Sequence, residues 1–228
     1  MPAKNRIKTY ISNSYYHIYN RGVEKRIIFE NDQDYRVFLQ YLRTYLLPKD
    51  FPALQAIISN PQAPPHDRFE AQRLLRMNNF SETISLISYC LMPNHFHLLI
   101  QQSTRFAMDS FMNSLCTRFT MYFNKSRDRV GPLFQGIYKA VLINTDEQLI
   151  HVTRYIHRNP ISIRSTELNR YPYSSYRVYL ESGREDWIKP GVVLSHFSKT
   201  GFNSYQSFVE DVSIEDDSLQ LIKRLTLD

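Results

Sequence analysis

The chain has 228 residues and a net charge of +6, with 43% hydrophobic and 22% charged residues. These values are typical of a globular protein with a buried core, and they exclude a disordered chain. Its two cysteines, Cys90 and Cys116, match no metal-ligand spacing, so we expect reduced thiols and no disulfide framework. Residues 1–14 lack the apolar stretch of a signal peptide, and no apolar run approaches the ~18 residues needed to cross a bilayer. We therefore expect a cytoplasmic protein.

Charge is unevenly distributed along the chain. The segment from Ser207 onward has a net charge of −4, which leaves about +10 for the rest. A basic body with 16 tyrosines and 14 phenylalanines suits a phosphate backbone with unstacked bases. Basic proteins that bind no nucleic acid share this composition, so charge alone leaves both interpretations open.

The first third of the chain predicts a strand, a helix and an insertion. Residues 15–20 are aromatic and β-branched and predict a strand. In residues 32–47, apolar side chains recur every three or four positions, which predicts an amphipathic helix. Residues 48–82 contain five of the eleven prolines and two short helical segments, near 54–58 and 69–77. We interpret this stretch as an insertion on the surface of the main fold.

The following residues predict a hairpin and then a helix, a strand and a second helix. Residues 84–91 and 94–101 read as antiparallel strands joined by a tight turn at Met92-Pro93. Residues 108–124 predict a helix and residues 138–143 a strand. A capping-box pattern at 145–148 begins a further helix, which Pro160 should end at Asn159.

The element order β-α-β-β-α-β-α predicts an α+β fold, with helices stacked on one face of an antiparallel sheet. We assign the main domain to residues 1–185, with the proline-rich helical insertion at about 48–82 inside it. Residues 186–228 have weak patterns and are interpreted as a C-terminal extension.

Two histidines lie two positions apart in the apolar run MPNHFHLLI at residues 92–100. In a strand, His95 and His97 share a face, while Phe96, Leu98 and Ile100 point to the opposite face. One face then carries two imidazoles suited to a divalent metal, and the other supplies core. A short motif of this kind also occurs by chance, so the metal site needs further ligands.

The helix after residue 145 offers such ligands. His151, Tyr155 and Asn159 follow each other at four-residue steps and share one stripe. Asn159 has an amide oxygen for the metal, and Tyr155 lies one turn before it. A phenol beside a metal that holds a phosphate oxygen is the arrangement a phosphotyrosine-forming nucleophile needs. Because the imidazoles must be neutral to bind, we predict that activity falls below about pH 6.

The sequence resembles the single-tyrosine HUH transposases, and most closely their REP-associated branch. Five segments carry the resemblance, in the family's order: 16–22 (YHIYNRG), 92–99 (MPNHFHLL), 131–140 (GPLFQGIYKA), 155–160 (YIHRNP) and 171–176 (YPYSSY). They span roughly residues 14–180. The chain departs from many relatives at Ile137, where they have arginine.

This resemblance implies that His95 and His97 are the metal pair, Asn159 the third protein ligand and Tyr155 the nucleophile. It implies a ferredoxin-like fold in a bacterial cytoplasmic enzyme that uses Mg²⁺ or Mn²⁺. Such enzymes cut single-stranded DNA beside a hairpin, leave a 5′-phosphotyrosine link and a free 3′-OH, and reverse the step to join strands. Either a monomer or a homodimer with an exchanged tyrosine helix fits the resemblance.

Several alternatives stay open. The chain can be an inactive relative that only binds hairpin nucleic acid, or a hydrolase in which the two histidines activate water. Tyr122 is the rival nucleophile, although its stripe predicts packing. His151 is either a proton shuttle or a hydrated surface residue, and His17 has no assigned role. Phosphate contacts are expected from cationic side chains near strand ends, namely Arg21, Lys25 and Lys139.

Overall fold

Four antiparallel strands form the centre of the fold. They are β1 (Ser14–Arg21), β2 (Ile84–Met92), β3 (His95–Gln102) and β4 (Lys139–Ile143), in the order β2-β3-β1-β4 across the sheet. Together with the intervening helices, this is the β-α-β-β-α-β arrangement of a ferredoxin-like sheet. The predicted α+β class is confirmed.

The computed structural model describes residues 10–163, 167–180 and 185–211. Its helices are α1 (Asp32–Leu46), α2 (Phe51–Ser59), α3 (Pro65–Arg76), α4 (Ala107–Ser126), α5 (Asp146–Arg158), α6 (Tyr176–Tyr179), α7 (Gly191–Leu194) and α8 (Tyr205–Glu210). Among these helices, none is both long and apolar enough to span a bilayer. Neither Cys90 nor Cys116 forms a disulfide bond. Residues 1–9 lie outside the described residues. They make up most of the N-terminal stretch predicted to lack a signal peptide. Much of the acidic tail also lies outside the described residues.

Helices cover both faces of the sheet. Phe96 and Leu98 of β3 are fully buried in one core with α1 and α4. Leu99, on the opposite face of β3, is buried in a second core with Val152 of α5. The prediction that helices stack on one face is therefore correct for α1 and α4 and wrong for α5. Helix α5 lies on the opposite face because it has an apolar stripe of its own, which it buries there.

A β-bulge in β2 changes which side chains face each core. The register with β3 shifts between Leu86 and Ser88. Leu86 belongs to the core under α1 and α4, and the next residue, Ile87, belongs to the core under α5. Beyond the bulge, Tyr89 and Leu91 face α1 and α4, so the alternation continues one residue out of phase.

The outer edge of β2 is covered by two later segments of the chain. The backbone N–H of Leu91 donates to the carbonyl of Tyr173 (2.9 Å), and that of Lys189 donates to the carbonyl of Leu86 (2.8 Å). Covering an edge strand removes a template for pairing with other chains. Segment 171–176, one of the five that carry the family resemblance, therefore has a structural role beside β2.

The stretch predicted to be an insertion contains α2 and α3, close to the two predicted helical segments. Its return to β2 is anchored by Met77 and Phe80, which are buried in the core under α1 and α4. Asn79 Nδ2 also donates to the carbonyl of Leu47 (2.7 Å). In the described part of the C-terminal extension, Tyr205 and Val209 pack into the core with α5.

The ends of α5 fit the sequence prediction at one end and depart from it at the other. Thr145 Oγ1 accepts a hydrogen bond from Gln148 N (3.1 Å), as the capping pattern predicts. Asn159, however, keeps helical backbone angles (φ −50°, ψ −39°) although Pro160 follows it, and a 3-10 turn continues to Ile163. Its side chain donates to the carbonyl of Tyr155 (3.0 Å), one turn earlier in α5.

Asp34 joins α1 to α4 as a fully buried carboxylate. Its oxygens accept hydrogen bonds from Arg127 Nη2 (2.6 Å), Tyr122 Oη (3.1 Å) and the backbone N–H of Glu30 (2.8 Å). Asn31 Oδ1 in turn accepts from Asp34 N (3.2 Å), which completes a capping box at the start of α1. The network satisfies a charge that would otherwise be costly to bury.

We therefore predict that Asp34→Ala lowers the free energy of unfolding by about 3 kcal/mol, because it leaves buried donors unpaired. Urea denaturation followed by circular dichroism measures the change. Asp67→Ala is the matched control, since this aspartate also lies in a first helical turn but is 56% exposed. It should change stability by less than about 0.5 kcal/mol. Equal effects of the two substitutions would contradict the prediction.

Candidate active site

The β1–β3 register brings the predicted histidines to the face of the sheet that α5 covers. Tyr19 pairs with His97, and Arg21 pairs with His95. The rings of His95 and His97 are 5.0 Å apart and nearly perpendicular (89°). As predicted for a strand, Phe96 between them points into the opposite core.

Helix α5 places Tyr155 and Asn159 against these histidines. The Tyr155 ring contacts the His97 ring edge-on, with 5.4 Å between centroids. The Asn159 side chain hydrogen-bonds with both His95 and Tyr155. The structure thus brings together the four predicted residues. The two histidines lie about 60 positions before Tyr155 and Asn159 in the sequence, and the latter two lie one helix turn apart. His151, the third member of the predicted stripe, instead packs against Phe208 of α8 (5.3 Å).

In each of the two predicted metal-binding histidines, Nδ1 has a hydrogen-bond partner. His95 Nδ1 lies 2.7 Å from Asn94 Oδ1, which can only accept, so this nitrogen carries a proton and Nε2 keeps its lone pair. His97 Nδ1 lies 2.9 Å from Nε2 of His17. In each ring, Nε2 is the nitrogen that these two contacts leave unused.

Burial keeps the site uncharged. It lowers the pKa of His95, with a smaller lowering by Arg21, and a hydrogen bond to Asn159 opposes this effect. Burial also lowers the pKa of His97 well below its usual value, and the neighbouring imidazoles of His95 and His17 lower it further. Neutral imidazoles are the metal-binding form. The loss of activity predicted below about pH 6 is therefore expected at a lower pH.

Burial raises the pKa of Tyr155 above its ordinary value, and the hydrogen bond with Asn159 partly opposes that rise. At neutral pH the phenol is therefore protonated. Its proton must leave when the oxygen forms a new bond.

The donor set suits a divalent cation of intermediate hardness. Two neutral imidazole nitrogens and one amide oxygen are ligands that Mn²⁺ accepts, while Mg²⁺ prefers the oxygen and water. Within residues 10–163, 167–180 and 185–211, there is no cluster of three His, Cys, Asp or Glu residues with metal-site geometry. A metal site at His95 and His97 would therefore need a ligand of another chemical type.

The predicted cationic residues lie at the same end of the sheet. Arg21 ends β1 and pairs with His95, while Lys139 begins β4 and pairs with Tyr19. The backbone carbonyl of Lys25 accepts from Asn94 Nδ2 (3.2 Å), which places this exposed residue beside the hairpin turn. Arg21 Nε and Nη2 donate to Gln135 Oε1 (3.3 and 3.2 Å), which connects β1 to segment 131–140.

Gly22 makes the close approach of these segments possible. Its backbone N–H donates to the carbonyl of Asn94 (2.9 Å). A Cβ at this position would lie only 2.3 Å from the carbonyl oxygen of Arg26, so a larger residue would force the backbone apart.

Two residues outside the predicted set proved informative. Tyr122 Oη donates to Asp34 on the far side of the sheet, so the rival nucleophile has a structural role in the network of α1 and α4. His17 lies inside the site, next to both His97 and Tyr155 (5.8 Å between rings). The only sequence signal for the position of His17 was that it shares a face with Tyr19 in the predicted strand.

Residues 65–159 match the family model of IS200-like transposases, and the matched segment contains His95, His97, Tyr155 and Asn159. The resemblance to this transposase family is confirmed. No curated protein matches the chain.

Two solved structures are similar to the chain at low sequence identity. A REP-associated tyrosine transposase bound to a REP hairpin is 13% identical, with a TM-score of 0.49, over 88% of this chain and 96% of that one. A candidate transposase from Deinococcus radiodurans R1 is 14% identical, with a TM-score of 0.28, over 68% of this chain and 96% of that one.

Buried histidines predict a loss of stability in acid. Burial lowers the pKa of His17 and that of His157 to about 3 each. In the unfolded chain both titrate near pH 6.5, so below this pH the unfolded state binds more protons than the folded state. The free energy of unfolding should fall by about 2 kcal/mol per buried histidine between pH 6.5 and 5.

Urea denaturation at the two pH values measures this loss. His157→Gln should reduce the pH dependence of the free energy of unfolding by the contribution of one buried histidine. His66→Gln replaces a side chain that is 81% exposed and should leave this pH dependence unchanged. Equal stability of the wild type at pH 6.5 and 5 would contradict the prediction.

Proposed function

We propose that the protein cleaves and rejoins single-stranded DNA through a 5′-phosphotyrosine at Tyr155. Its substrates would be strands with hairpins, including REP-type sequences. The observation that carries the proposal is the convergence of His95, His97, Asn159 and Tyr155 on one face of the sheet. The family match supports the same class of reaction, because IS200-like transposases are the family found over this segment.

His95, His97 and Asn159 would hold Mg²⁺ or Mn²⁺. The Asn159 side chain hydrogen-bonds with His95, so its amide group lies beside the imidazole with which it would share the cation. When bound, the ion polarises the scissile phosphate and stabilises the charge that develops on it.

Tyr155 would act as the nucleophile. Its oxygen attacks the scissile phosphorus, a P–O bond to Tyr155 forms and the bond to the 3′ oxygen breaks. The phenol proton is lost and the departing 3′ oxygen gains a proton, so the strand is left with a free 3′-OH. Attack by that 3′-OH on the phosphotyrosine reverses the step and joins strands.

The contacts with Tyr155 favour this role. Its edge-on packing against His97 and its hydrogen bond with Asn159 restrict the ring to one orientation. A fixed nucleophile loses little entropy on reaching its target. The donor from Asn159 also stabilises negative charge on the phenol oxygen as its proton leaves.

Arg21, Lys25 and Lys139 would bind the DNA backbone beside the site. Phosphate contacts of this kind position a strand without reading its sequence. They lie at the end of the sheet that carries His95, so a strand bound there would lead toward Tyr155.

We predict that a covalent protein–DNA adduct forms with a hairpin oligonucleotide in Mn²⁺. The DNA carries its label at the 3′ end, because the fragment downstream of the cut stays attached through its 5′ phosphate. A denaturing gel should show labelled protein for the wild type and none for Tyr155→Phe or His97→Ala. Hairpins from inverted repeats near the coding sequence provide the substrates.

Tyr122→Phe is the matched control, since it removes a phenol oxygen that lies across the sheet. It should form the adduct at the wild-type level. Labelled adduct in Tyr155→Phe would overturn the assignment of the nucleophile. Cutting without any adduct would instead indicate a hydrolase, and tight binding without cutting would indicate a hairpin-binding module.

Lys139→Ala should weaken hairpin binding about equally for all sequences and reduce the slope of log K against log salt by about 1. Fluorescence anisotropy between 50 and 200 mM KCl, about the range in which such slopes are read, measures it. Lys125→Ala on α4, an exposed lysine, is the control and should leave the slope unchanged. An unaltered slope in Lys139→Ala would exclude a phosphate contact there.

A further inference from the structure

His17 is a buried polar residue that the proposed reaction does not use. It lies on β1 opposite Leu99 of β3 and is fully buried. Its Nδ1 has no hydrogen-bond partner among the described residues, which is costly for a buried polar atom. Its Nε2, in contrast, lies 2.9 Å from His97 Nδ1.

The geometry of this contact is that of a hydrogen bond along the edges of the two rings. The nitrogens are 2.9 Å apart, whereas the ring centroids are 5.1 Å apart, so the nitrogens point toward each other. Because the nitrogens face each other along the line that joins the centroids, the bond runs close to the planes of both imidazoles, which differ by only 21°. An imidazole N–H and an imidazole lone pair both lie in that plane.

Only one assignment of protons in this pair leaves His97 able to bind a metal through Nε2. If His17 donates, the neutral His97 carries its proton on Nε2 and has no lone pair there. If His97 donates from Nδ1, His17 Nε2 accepts and His97 Nε2 keeps its lone pair. Metal-bound histidines usually donate their second N–H to a fixed acceptor in this way.

We propose that His17 is a positioning residue: its Nε2 accepts the hydrogen bond of His97 Nδ1–H and directs His97 Nε2 toward the metal. This inference rests on the proposed function in one respect, namely that His97 is a metal ligand. On the other side of the site, Asn94 Oδ1 serves His95 in the same manner. Each ligand would then have its own acceptor, one an amide and one an imidazole.

A role in packing alone makes a different prediction. His17 also contacts the rings of Tyr19 (5.4 Å) and Tyr155 (5.8 Å), so it fills space in the core under α5. If packing were its whole role, phenylalanine would replace it without loss at the metal. If its acceptor matters, glutamine should replace it better than phenylalanine, because Oε1 of glutamine can reach a similar position.

The test is the dissociation constant for Mn²⁺, measured by electron paramagnetic resonance without DNA. We expect His17→Phe to raise it 10- to 100-fold, about the effect of removing such an outer partner, and His17→Gln to raise it by about threefold or less. Leu99→Val, at the position opposite His17, controls for altered packing and should leave it unchanged. Circular dichroism confirms that each variant is folded at the temperature of the titration.

A second measurement needs only the wild type. With ¹⁵N-labelled histidine and saturating Mg²⁺, long-range ¹H–¹⁵N spectra should show His97 protonated at Nδ1 and His17 unprotonated at Nε2. A proton on His17 Nε2, or equal Mn²⁺ affinities of His17→Phe and the wild type, would overturn the role of His17 alone. No Mn²⁺ binding by the wild type would overturn both this role and the proposed metal site.

Discussion

The antiparallel pairing of β1 with β3 in a single register is the constraint on which the site and the core both depend. In this register His17 and Tyr19 share a face with His97, while Ile18 and Phe96 are buried on the other face. A shift of one residue in either strand would turn the imidazoles into the core under α1 and α4 and expose apolar side chains. The hydrophobic free energy that stabilises the fold therefore also fixes the positions of the imidazoles.

Helix α5 completes the site, and contacts on its outer side hold it in place. Arg154, which is fully buried, donates to the carbonyls of Phe208 (2.7 Å) and Asp211 (2.5 Å), and Arg158 donates to that of Val209 (2.6 Å). These carbonyls lie at the C-terminal end of α8, where cations are favourable. The orientation of Tyr155 thus depends on residues beyond the segment that matches the transposase family.

Features that depend on local periodicity could be predicted from the sequence. The shared face of His95 and His97 follows from the alternation of a strand, and the start of α5 follows from the capping pattern at Thr145. Features that depend on distant contacts could not. The partner of His97 lies 80 residues away on β1, and α5 takes the second face of the sheet because its stripe meets the core around Leu99.

Local rules also failed where tertiary contacts outweighed them. The bulge after Leu86 has no clear signal in the sequence of β2, since Leu86 and Ile87 are both apolar although they face different cores. Pro160 should have excluded helical geometry at Asn159, yet the hydrogen bonds of the Asn159 side chain hold it beside His95 and Tyr155.

Mass spectrometry of the trypsin-digested protein–DNA adduct tests the proposed chemistry most directly. Cleavage after Arg154 and Arg158 should release residues 155–158 carrying a nucleotide 5′ phosphate on Tyr155, whereas the same modification on any other tyrosine would contradict the proposed site.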